Sequence, residues 1–326
     1  MGVATVTMRE MKTVFLTGGA GFIGAHLVRR LSMNHRVIVY DHCRKDTLMK
    51  LGYDKHENVM IVKGDVLDAE LLKQSMKGAE IVIHAAAVVG VSEVNNQLIT
   101  MQTNIFGTYN VLEAAQIHGI RDRVIIFSTS EIFGGMAFNV AENDPVISGP
   151  PGEARWGYGI SKIAGEHFAR GFHKTYGLPT VCVRPFNIYG PGQTMAGAMK
   201  MFISNALQGK EIMINGNGSP IRSWCYVDEF VECILRCMEN PAAIGESFNI
   251  GNAATGITVF GLAEKVISLL KSSSKILHSP PLPMEIHLRI PNVDKAKRLL
   301  GWEATIGLDE GILKTAESVQ RELAIA

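Results

Sequence analysis

Short apolar runs alternate with amphipathic stretches along the first half of the chain. The runs are continuous and rich in β-branched residues, which is typical of strands that helices cover on both faces. They predict strands at Thr13–Leu16, Val37–Tyr40, Val59–Val62, Ile81–Ile83, Val124–Phe127 and Thr180–Val183. The stretches between them predict helices at Phe22–Leu31, Leu67–Met76, Leu98–His118 and Tyr158–Tyr176. This alternation predicts an α/β fold with a doubly wound parallel sheet.

The chain changes character after about residue 187, where Gly, Pro and Asn become frequent. We expect loops and small elements at 187–223, 249–258 and 275–292. Helices are expected near Asp228–Glu239, Val259–Leu270 and Leu308–Glu322. The prediction is a main domain over 11–186, to which a strand and a helix return from about 224–250, and a smaller interleaved lobe mainly over 187–322.

Composition excludes several classes of protein. Hydrophobic residues make up 47% of the 326 residues, charged residues 19%, and the net charge is +1, an ordinary globular balance. No basic field favours nucleic acid or a membrane surface, and no apolar run is as long as a membrane span. The first ten residues lack the apolar core of a secretion signal, so we expect a disordered leader there.

Five cysteines are scattered over the chain, at positions 43, 182, 225, 233 and 237, with Cys233 and Cys237 four apart on a predicted helix. The odd number and the wide spacing argue against a disulfide framework, which favours a reducing, cytoplasmic location. Because no His or Cys cluster has metal-ligand spacing, we expect no metal site.

Three glycines, Gly18, Gly21 and Gly24, are spaced three apart between the first predicted strand and the first predicted helix. Gly18 permits a tight turn, Gly21 lets the backbone approach a phosphate, and Gly24 lets helix and strand pack closely. The helix N-terminus favours negative charge. This context predicts the pyrophosphate site of a dinucleotide in a Rossmann domain, with a plain Gly-rich turn as the alternative.

Polar and small residues follow the next strands. Asp41 ends the second strand, where a carboxylate accepts hydrogen bonds from ribose hydroxyls and repels a 2′-phosphate, so NAD is favoured over NADP. A strand-end cap is the alternative for Asp41, and the nearby Arg44 and Lys45 keep NADP open.

Two further strand ends fit the same site. Asp65, which ends the third strand, can face the adenine edge. Ala85 and Ala86 follow the fourth strand and leave room for a cofactor, although tight packing alone also explains small residues there.

Tyr158 and Lys162 are four residues apart on a predicted helix and therefore point from one face. A nearby ammonium lowers the pKa of a phenol. Such a Tyr can take a proton from an alcohol as hydride leaves its carbon. The alternative is an exposed Tyr beside a solvated Lys.

Together, the ordered motifs resemble the extended short-chain dehydrogenase/reductase family, which includes nucleotide-sugar epimerases and dehydratases. The resemblance covers about residues 12–320. Its motifs stand at 17–24, 64–66, 104–108, 127–134, 158–162, 184–192, 222–228 and 299–302.

The resemblance implies roles for individual residues. Thr129 hydrogen-bonds the hydroxyl at carbon 4 of the sugar, Tyr158 is the base, and Lys162 holds the nicotinamide ribose. Asn187, Arg222 and Arg289 hold the substrate diphosphate and nucleotide; each also has a simpler explanation, as a turn residue or in an ion pair. The residues implied for NAD are Gly18, Gly21, Phe22, Ile23, Gly24, Asp41, Asp65, Val66, Ala85, Ala86, Asn104, Tyr158 and Lys162.

The run Thr129, Ser130 and Glu131 is similar to that of UDP-glucuronic acid decarboxylases and GDP-mannose 4,6-dehydratases. A Glu beside a transient 4-ketone can exchange a proton at carbon 5; a solvated or loop-capping Glu131 is the alternative. Arg155 and Trp156 also resemble the decarboxylases, whereas the loop at 88–92 indicates no substrate.

These features predict an NAD-dependent nucleotide-sugar enzyme acting on a UDP-sugar, with UDP-glucuronic acid decarboxylation as the leading reaction. A 4-epimerase and a 4,6- or 5,6-dehydratase stay open, as does a non-catalytic dinucleotide-binding protein. Apolar residues on more than one face of the helices near Leu98–His118 and Tyr158–Tyr176 predict a homodimer.

Overall fold

The computed structural model describes residues 11–89, 93–193, 197–281 and 286–325. The predicted leader, residues 1–10, and residues 90–92 of the loop at 88–92 lie outside this part of the chain. Its strands are β1 (Thr13–Thr17), β2 (Arg36–Asp41), β3 (Val59–Lys63), β4 (Ile81–His84), β5 (Arg123–Phe127), β6 (Met136–Val140), β7 (Thr180–Pro185), β8 (Ile188–Tyr189), β9 (Ile212–Asn215), β10 (Ile221–Arg222), β11 (Cys225–Tyr226), β12 (Ser247–Ile250), β13 (Ile257–Thr258), β14 (Ile276–Ser279) and β15 (Leu288–Pro291). Its helices are α1 (Phe22–Leu31), α2 (Thr47–Lys50), α3 (Ala69–Met76), α4 (Gln97–Met101), α5 (Gly107–Ile117), α6 (Ala154–Tyr176), α7 (Ala198–Leu207), α8 (Val227–Glu239), α9 (Val259–Leu269), α10 (Asp294–Leu300) and α11 (Leu308–Ile325).

A parallel sheet forms the centre of the molecule. Within the described residues it has seven strands in the order β12-β7-β5-β4-β1-β2-β3. The predicted doubly wound α/β fold is confirmed. The strand order reverses direction between β1 and β4, and ligands of such sheets bind at that point, beyond the carboxyl ends of the strands.

Helices cover both faces of this sheet. Val14 and Leu16 of β1 pack on one side with α1 and α8, whereas Phe15 between them packs on the other side with α3, α5 and α6. Successive side chains of a strand point to opposite faces, so a strand that is apolar at every position is buried on both.

The smaller lobe is built from short elements. In the described residues it contains a sheet in the order β13-β10-β15-β6 and the strand pairs β11-β8 and β14-β9. Helices α7, α9 and α11 enclose its apolar core around Phe202, Leu262 and Ile312. Strand β6 and helices α7 and α10 were not predicted from the sequence. Strand β12 lies at the edge of the main sheet, beside β7.

The predicted helix near Leu98–His118 is interrupted. Between α4 and α5 the backbone forms a π-helical segment at Gln102–Phe106. Such segments insert an extra residue into a helical turn and are frequent at functional sites. Here the segment contains Asn104, which is buried. None of the described helices is long and apolar enough to cross a bilayer.

A buried carboxylate joins α8 to the C-terminal part of the chain. Glu229 Oε1 accepts hydrogen bonds from the backbone N–H groups of Thr305 and Ile306 and from Thr305 Oγ1. Trp302 Nε1 donates to the Glu229 carbonyl at 3.1 Å. These hydrogen bonds hold the segment before α11 against α8, one of the helices that cover the main sheet.

We predict that Glu229→Ala destabilises the fold, because two backbone donors lose their acceptor. An unsatisfied buried donor costs on the order of 1–3 kcal/mol. Urea unfolding should show a clearly lower midpoint for this variant. The control is Glu232→Ala on the same helix, whose half-exposed carboxylate pairs with Arg30 and Arg236 and contributes little. Equal midpoints for the two variants would contradict the role of Glu229 in holding the segment before α11.

Candidate active site

The glycine turn between β1 and α1 leaves no room for side chains at two of its three glycines. Gly18 has φ +76°, and a Cβ there would lie 2.6 Å from the backbone nitrogen of Ala86. A Cβ on Gly24 would overlap the Gly18 carbonyl oxygen. At Gly21 the nearest atom would be 3.4 Å away, so that side of the turn is open. The turn is tightly packed at Gly18 and Gly24 and has free space at Gly21. This space lies at the N-terminus of α1, where Phe22 and Ile23 are half-buried, and it fits a pyrophosphate.

Asp41 supports this turn. Its Oδ2 accepts a hydrogen bond from Ala20 N at 3.0 Å, and its Oδ1 accepts one from Cys43 N at 2.7 Å. Each carboxylate oxygen has a second lone pair, so the group can still accept from a ribose hydroxyl. The sequence predicted either a ribose contact or a strand-end cap for Asp41. The hydrogen bond from Cys43 N is such a cap, the ribose contact stays a prediction, and the support of the glycine turn through Ala20 N was not predicted.

Tyr40 of β2 contacts the segment that follows the third strand, β3. Its hydroxyl donates to the Asp65 carbonyl at 2.9 Å, and the Asp65 carboxylate accepts from Leu67 N at 3.0 Å. Val66 packs on Gly107, where an added Cβ would lie 2.5 Å from the valine. These contacts place Asp65 and Val66 at the same end of the sheet as Asp41.

Asn104 holds the loop that Ala85 and Ala86 begin. Its amide accepts from Val88 N at 2.8 Å, and its NH₂ donates to the Val88 carbonyl at 3.1 Å and to Ser161 Oγ at 3.1 Å. Asn104 is buried, and both ends of its amide are engaged. Asn104 therefore ties the loop after β4 to helix α6, and the contact with NAD that the resemblance implies for it stays a prediction.

A short turn after β5 carries the predicted catalytic run. Residues Ser130–Phe133 form a 3₁₀ turn, and the side chain of Thr129 caps it by accepting from Glu131 N at 3.2 Å. Thr129 and Ser130 are buried. The cap fixes Glu131 in the first turn, two residues after the hydroxyl that is expected to contact the sugar.

Tyr158 and Lys162 lie buried on helix α6. Burial raises the pKa of Tyr158, while a hydrogen bond with Thr129 lowers it. The ammonium of Lys162 donates to the Phe127 carbonyl at 2.7 Å. Burial lowers the pKa of Lys162 to about 8, although the negative charge of Glu166 raises it. The effect expected of Lys162 on the phenol of Tyr158 stays a prediction.

Two arginines share the carboxylate of Glu131. Arg155 donates from Nε to Oε2 at 2.9 Å and from a terminal nitrogen to Oε1 at 3.1 Å. Arg289 donates to Oε1 at 2.5 Å and, from its other terminal nitrogen, to the Gly134 carbonyl at 2.9 Å. Burial alone would raise the pKa of Glu131, but Arg289 and Arg155 lower it to about 2. We call Arg155, Glu131 and Arg289 the ion triplet.

The ion triplet bears on two expectations. Arg289 and Arg155 lower the pKa of Glu131 and so weaken it as a base, while the proton exchange at carbon 5 that was expected of Glu131 stays a prediction. Arg289 is only 2% exposed and binds the catalytic turn, whereas the resemblance implied a contact with the diphosphate. Its partner is 158 residues away in the chain, so no local pattern indicated the pair.

The remaining predicted substrate residues gather near the ion triplet. Asn187, with φ +41°, donates from its amide to the Ser223 carbonyl at 2.8 Å, and Ser223 N donates to the Arg289 carbonyl. Arg222 lies opposite Arg289 in the β10–β15 pairing and donates to the Ile286 carbonyl. The structure therefore brings Asn187, Arg222 and Arg289 into one region of the lobe facing the catalytic turn.

Comparison with known proteins gives consistent results. A sequence profile of the NAD dependent epimerase/dehydratase family matches residues 14–251. The chain is 33% identical over 317 residues to a UDP-N-acetyl-alpha-D-glucosaminuronate decarboxylase of Bacillus cytotoxicus, covering 94% of this chain and 97% of that protein. It is 31% identical to UDP-glucuronic acid decarboxylase 6 of Arabidopsis thaliana, covering 96% and 90%. The solved UDP-glucuronic acid 4-epimerase of Bacillus cereus, in complex with UDP-glucuronic acid and NAD, superposes with a TM-score of 0.86 at 27% identity, covering 95% and 99%.

We predict that Gly24→Ala weakens NAD binding by roughly tenfold or more, which corresponds to about 1.4 kcal/mol. The added methyl group displaces the Gly18 carbonyl and opens the turn. Isothermal titration with NAD measures the effect. Gly171→Ala on helix α6 is the control, because a Cβ there meets nothing within 4 Å. Unchanged NAD affinity in Gly24→Ala would contradict the assigned pyrophosphate site.

Proposed function

Because the chain belongs to the NAD-dependent epimerase/dehydratase family, we propose that it oxidises a nucleotide sugar transiently at carbon 4 and decarboxylates a UDP-uronic acid. The observation that carries the second part is the ion triplet beside Thr129 and Tyr158. The decarboxylases among its relatives support the same reaction.

The charge of the ion triplet favours an acidic sugar. Two guanidinium groups and one carboxylate leave one net positive charge at the catalytic turn. The side chain of Arg155 is 27% exposed, and Arg289 Nε has no hydrogen-bond partner among the described residues. A uronic acid brings a carboxylate on carbon 6 that this charge can bind, and a neutral hexose does not.

The residues of the chain divide the chemistry between them. Tyr158, hydrogen-bonded to Thr129, is placed to take the proton of the carbon 4 hydroxyl. NAD, when bound, supplies the oxidation of that carbon. The resulting 4-ketone makes the sugar a β-keto acid, in which the bond between carbons 5 and 6 breaks, CO₂ leaves and the electron pair moves into an enolate. Arg155 and Arg289 stabilise this negative charge. A proton then adds at carbon 5, and the carbon 4 ketone takes back the hydride removed in the first step, which gives the UDP-pentose.

Two related reactions are distinguished by the same geometry. A dehydratase needs a base that removes the proton at carbon 5, whereas a decarboxylase does not, and Arg289 and Arg155 weaken Glu131 as a base by lowering its pKa. A 4-epimerase that acts on a uronic acid needs the same recognition of the carboxylate, and the Bacillus cereus structure supports this second candidate. The two candidates differ in whether carbon 6 is retained.

NAD is the proposed cofactor form because Asp41 lies at the end of β2 and would repel a 2′-phosphate. The proposed NAD site lies at the carboxyl edge of the main sheet. The glycine turn, Asp41, Asp65 and the loop after β4 line it. The relatives and the solved structure named for UDP-sugars support a UDP-sugar as the proposed substrate of the lobe region around Asn187 and Arg222.

We also propose a homodimer through α4, α5 and α6. These elements and the π-helical segment between α4 and α5 expose a set of large apolar side chains, among them Leu98 at 67% and Tyr176 at 61%. The others are Ile99, Phe106, Tyr109, Ile117 and Ile160. Helices α4 and α5 both lie against α6, and several exposed apolar side chains on neighbouring elements are typical of protein interfaces.

Incubation with a panel of UDP-, dTDP-, GDP- and CDP-sugars tests the proposed reaction. Mass spectrometry should show a UDP-pentose formed from UDP-glucuronic acid or its N-acetylated analogue. UDP-glucose should give no product. Conversion of UDP-glucose at a rate equal to that of the uronic acid would overturn the proposal.

Exchange of Glu131 for Gln should separate oxidation from product formation. The variant keeps Tyr158, Lys162 and Thr129, so some reduced cofactor forms, but Arg155 and Arg289 lose their shared partner and product formation falls roughly a hundredfold. Tyr158→Phe should abolish cofactor reduction. Single-turnover absorbance of the reduced nicotinamide and mass spectrometry of the sugar measure the two steps.

Glu153→Gln is the matched control, because this carboxylate is exposed at the start of α6. It should react as the unaltered chain does. A Glu131→Gln variant that forms product at the unaltered rate would remove the ion triplet from the mechanism.

The dimer is tested by light scattering at micromolar concentration, where the chain should have twice its monomer mass. Leu98→Asp should shift it towards monomer, because a charge then lies in the apolar surface. Leu313→Asp, on the exposed side of α11, is the control and should stay dimeric. A monomeric unaltered chain would contradict the dimer.

A further inference from the structure

A buried histidine ends strand β4, directly before the loop that lines the proposed NAD site. His84 is 1% exposed and forms hydrogen bonds through both of its ring nitrogens. Its Nδ1 lies 2.7 Å from Thr17 Oγ1 at the end of β1, and its Nε2 lies 3.0 Å from Thr108 Oγ1 on α5. The reaction described above gives His84 no task, so its burial between two hydroxyl groups calls for a reason.

The neighbouring hydrogen bonds fix the direction of each bond to His84. The hydroxyl of Thr108 donates its one proton to the Asn104 carbonyl at 2.7 Å, so it accepts from the imidazole. Burial lowers the pKa of His84 to about 3, so the ring is neutral and its other nitrogen accepts from Thr17. Thr17 Oγ1 in turn accepts from Ala86 N at 3.2 Å. With the ring proton on Nε2, each of these groups has a partner.

These bonds close a ring around the loop after β4. The loop is bound at two points, since Ala86 N donates to Thr17 and both backbone groups of Val88 pair with the side chain of Asn104. On the far side, His84 joins the two anchors through the two hydroxyl groups. Residues 85–89 are half-buried, so the loop is held from within and still presents a surface to a ligand.

The same ring contacts the glycine turn and helix α6. A Cβ on Gly18 would lie 2.6 Å from Ala86 N, so the turn and the loop lie directly against each other. Asn104 donates to Ser161 Oγ at 3.1 Å, and that hydroxyl donates to the Tyr158 carbonyl at 2.7 Å. One continuous set of hydrogen bonds therefore reaches from the proposed pyrophosphate site to the helix that carries Tyr158.

We propose that His84 is a positioning residue, whose neutral ring with its proton on Nε2 holds the loop after β4 and the glycine turn in the arrangement that binds NAD. The ring acts as a spacer of fixed length, because it donates to Thr108 and accepts from Thr17 at the same time. The inference rests on the NAD site of the proposed function and is independent of the decarboxylation.

NMR of the unaltered chain with ¹⁵N-labelled histidine reads the tautomer directly. A protonated and a bare ring nitrogen differ strongly in ¹⁵N chemical shift, and the His84 ring is assigned through its own backbone amide. We expect a protonated Nε2 and a bare Nδ1 at neutral pH. A ring with its proton on Nδ1, or an average of the two tautomers, would overturn the inference. This measurement needs no variant.

Exchange of Thr108 for Val tests the effect on NAD. The variant keeps the shape of the side chain and leaves the His84 N–H without an acceptor, so the loop is no longer fixed before NAD binds. The NAD affinity, measured by isothermal titration, should fall roughly tenfold. Thr108→Ser keeps the hydroxyl and loses the methyl group that faces Gly165, and it should restore both the affinity and the Nε2–H signal.

Thr315→Val is the matched control. Thr315 donates to the carbonyl four residues before it at 2.7 Å, as Thr108 does, but it lies on α11 of the smaller lobe. This variant should bind NAD as the unaltered chain does. Equal NAD affinity in Thr108→Val and the control would overturn the inference. Weaker binding in Thr108→Val, when the unaltered chain converts no UDP-uronic acid, would support the inference and contradict the proposed function instead.

Discussion

The carboxylate of Glu131 joins three segments that are far apart in the chain. It belongs to the turn after β5, Arg155 starts helix α6, and Arg289 lies on β15 of the smaller lobe. The ion triplet thus connects the lobe to the main sheet at the place where the chemistry is proposed. Removing one member of a fully buried pair costs roughly 3–5 kcal/mol, since the charge left behind is uncompensated. The cost is smaller here because the side chains of Glu131 and Arg155 are 19% and 27% exposed, while Arg289 is buried. The geometry of the site depends on this interaction.

Tyr158 lies between the ion triplet and the charged side chains that follow it on helix α6. Burial raises the pKa of the phenol, the negative charge of Glu131 raises it further, and Thr129 and Arg289 lower it. On the next turns of α6, Lys162 and Glu166 carry opposite charges. Because water is excluded, each charge acts strongly on its neighbours. The site therefore holds a fixed set of charges, which can stabilise a reacting uronic acid without rearrangement.

Much of the main domain could be predicted from the sequence, because each βαβ unit is local. Helix α1 was predicted with the bounds that the structure shows, and the strands differ by one or two residues. The short elements β6, α7 and α10 were missed. Helix α7 lies in the Gly- and Pro-rich stretch that was expected to form loops, and β6 forms by pairing with β15, which lies much later in the chain. The π-helical segment with Asn104 and the pairing of Glu131 with Arg289 were also missed. Both depend on contacts between distant parts of the chain.

The most direct test of the account is the fate of carbon 6. Incubation of the chain and NAD with UDP-glucuronic acid labelled with ¹³C at carbon 6 should release the label as ¹³CO₂, in step with the formation of an unlabelled UDP-pentose. Isotope-ratio mass spectrometry of the gas phase measures the label. Retention of the label in a UDP-sugar, as UDP-galacturonic acid or as a 4-keto hexuronic acid, would show that the positive catalytic turn binds the carboxylate without removing it, and would contradict the proposed decarboxylation.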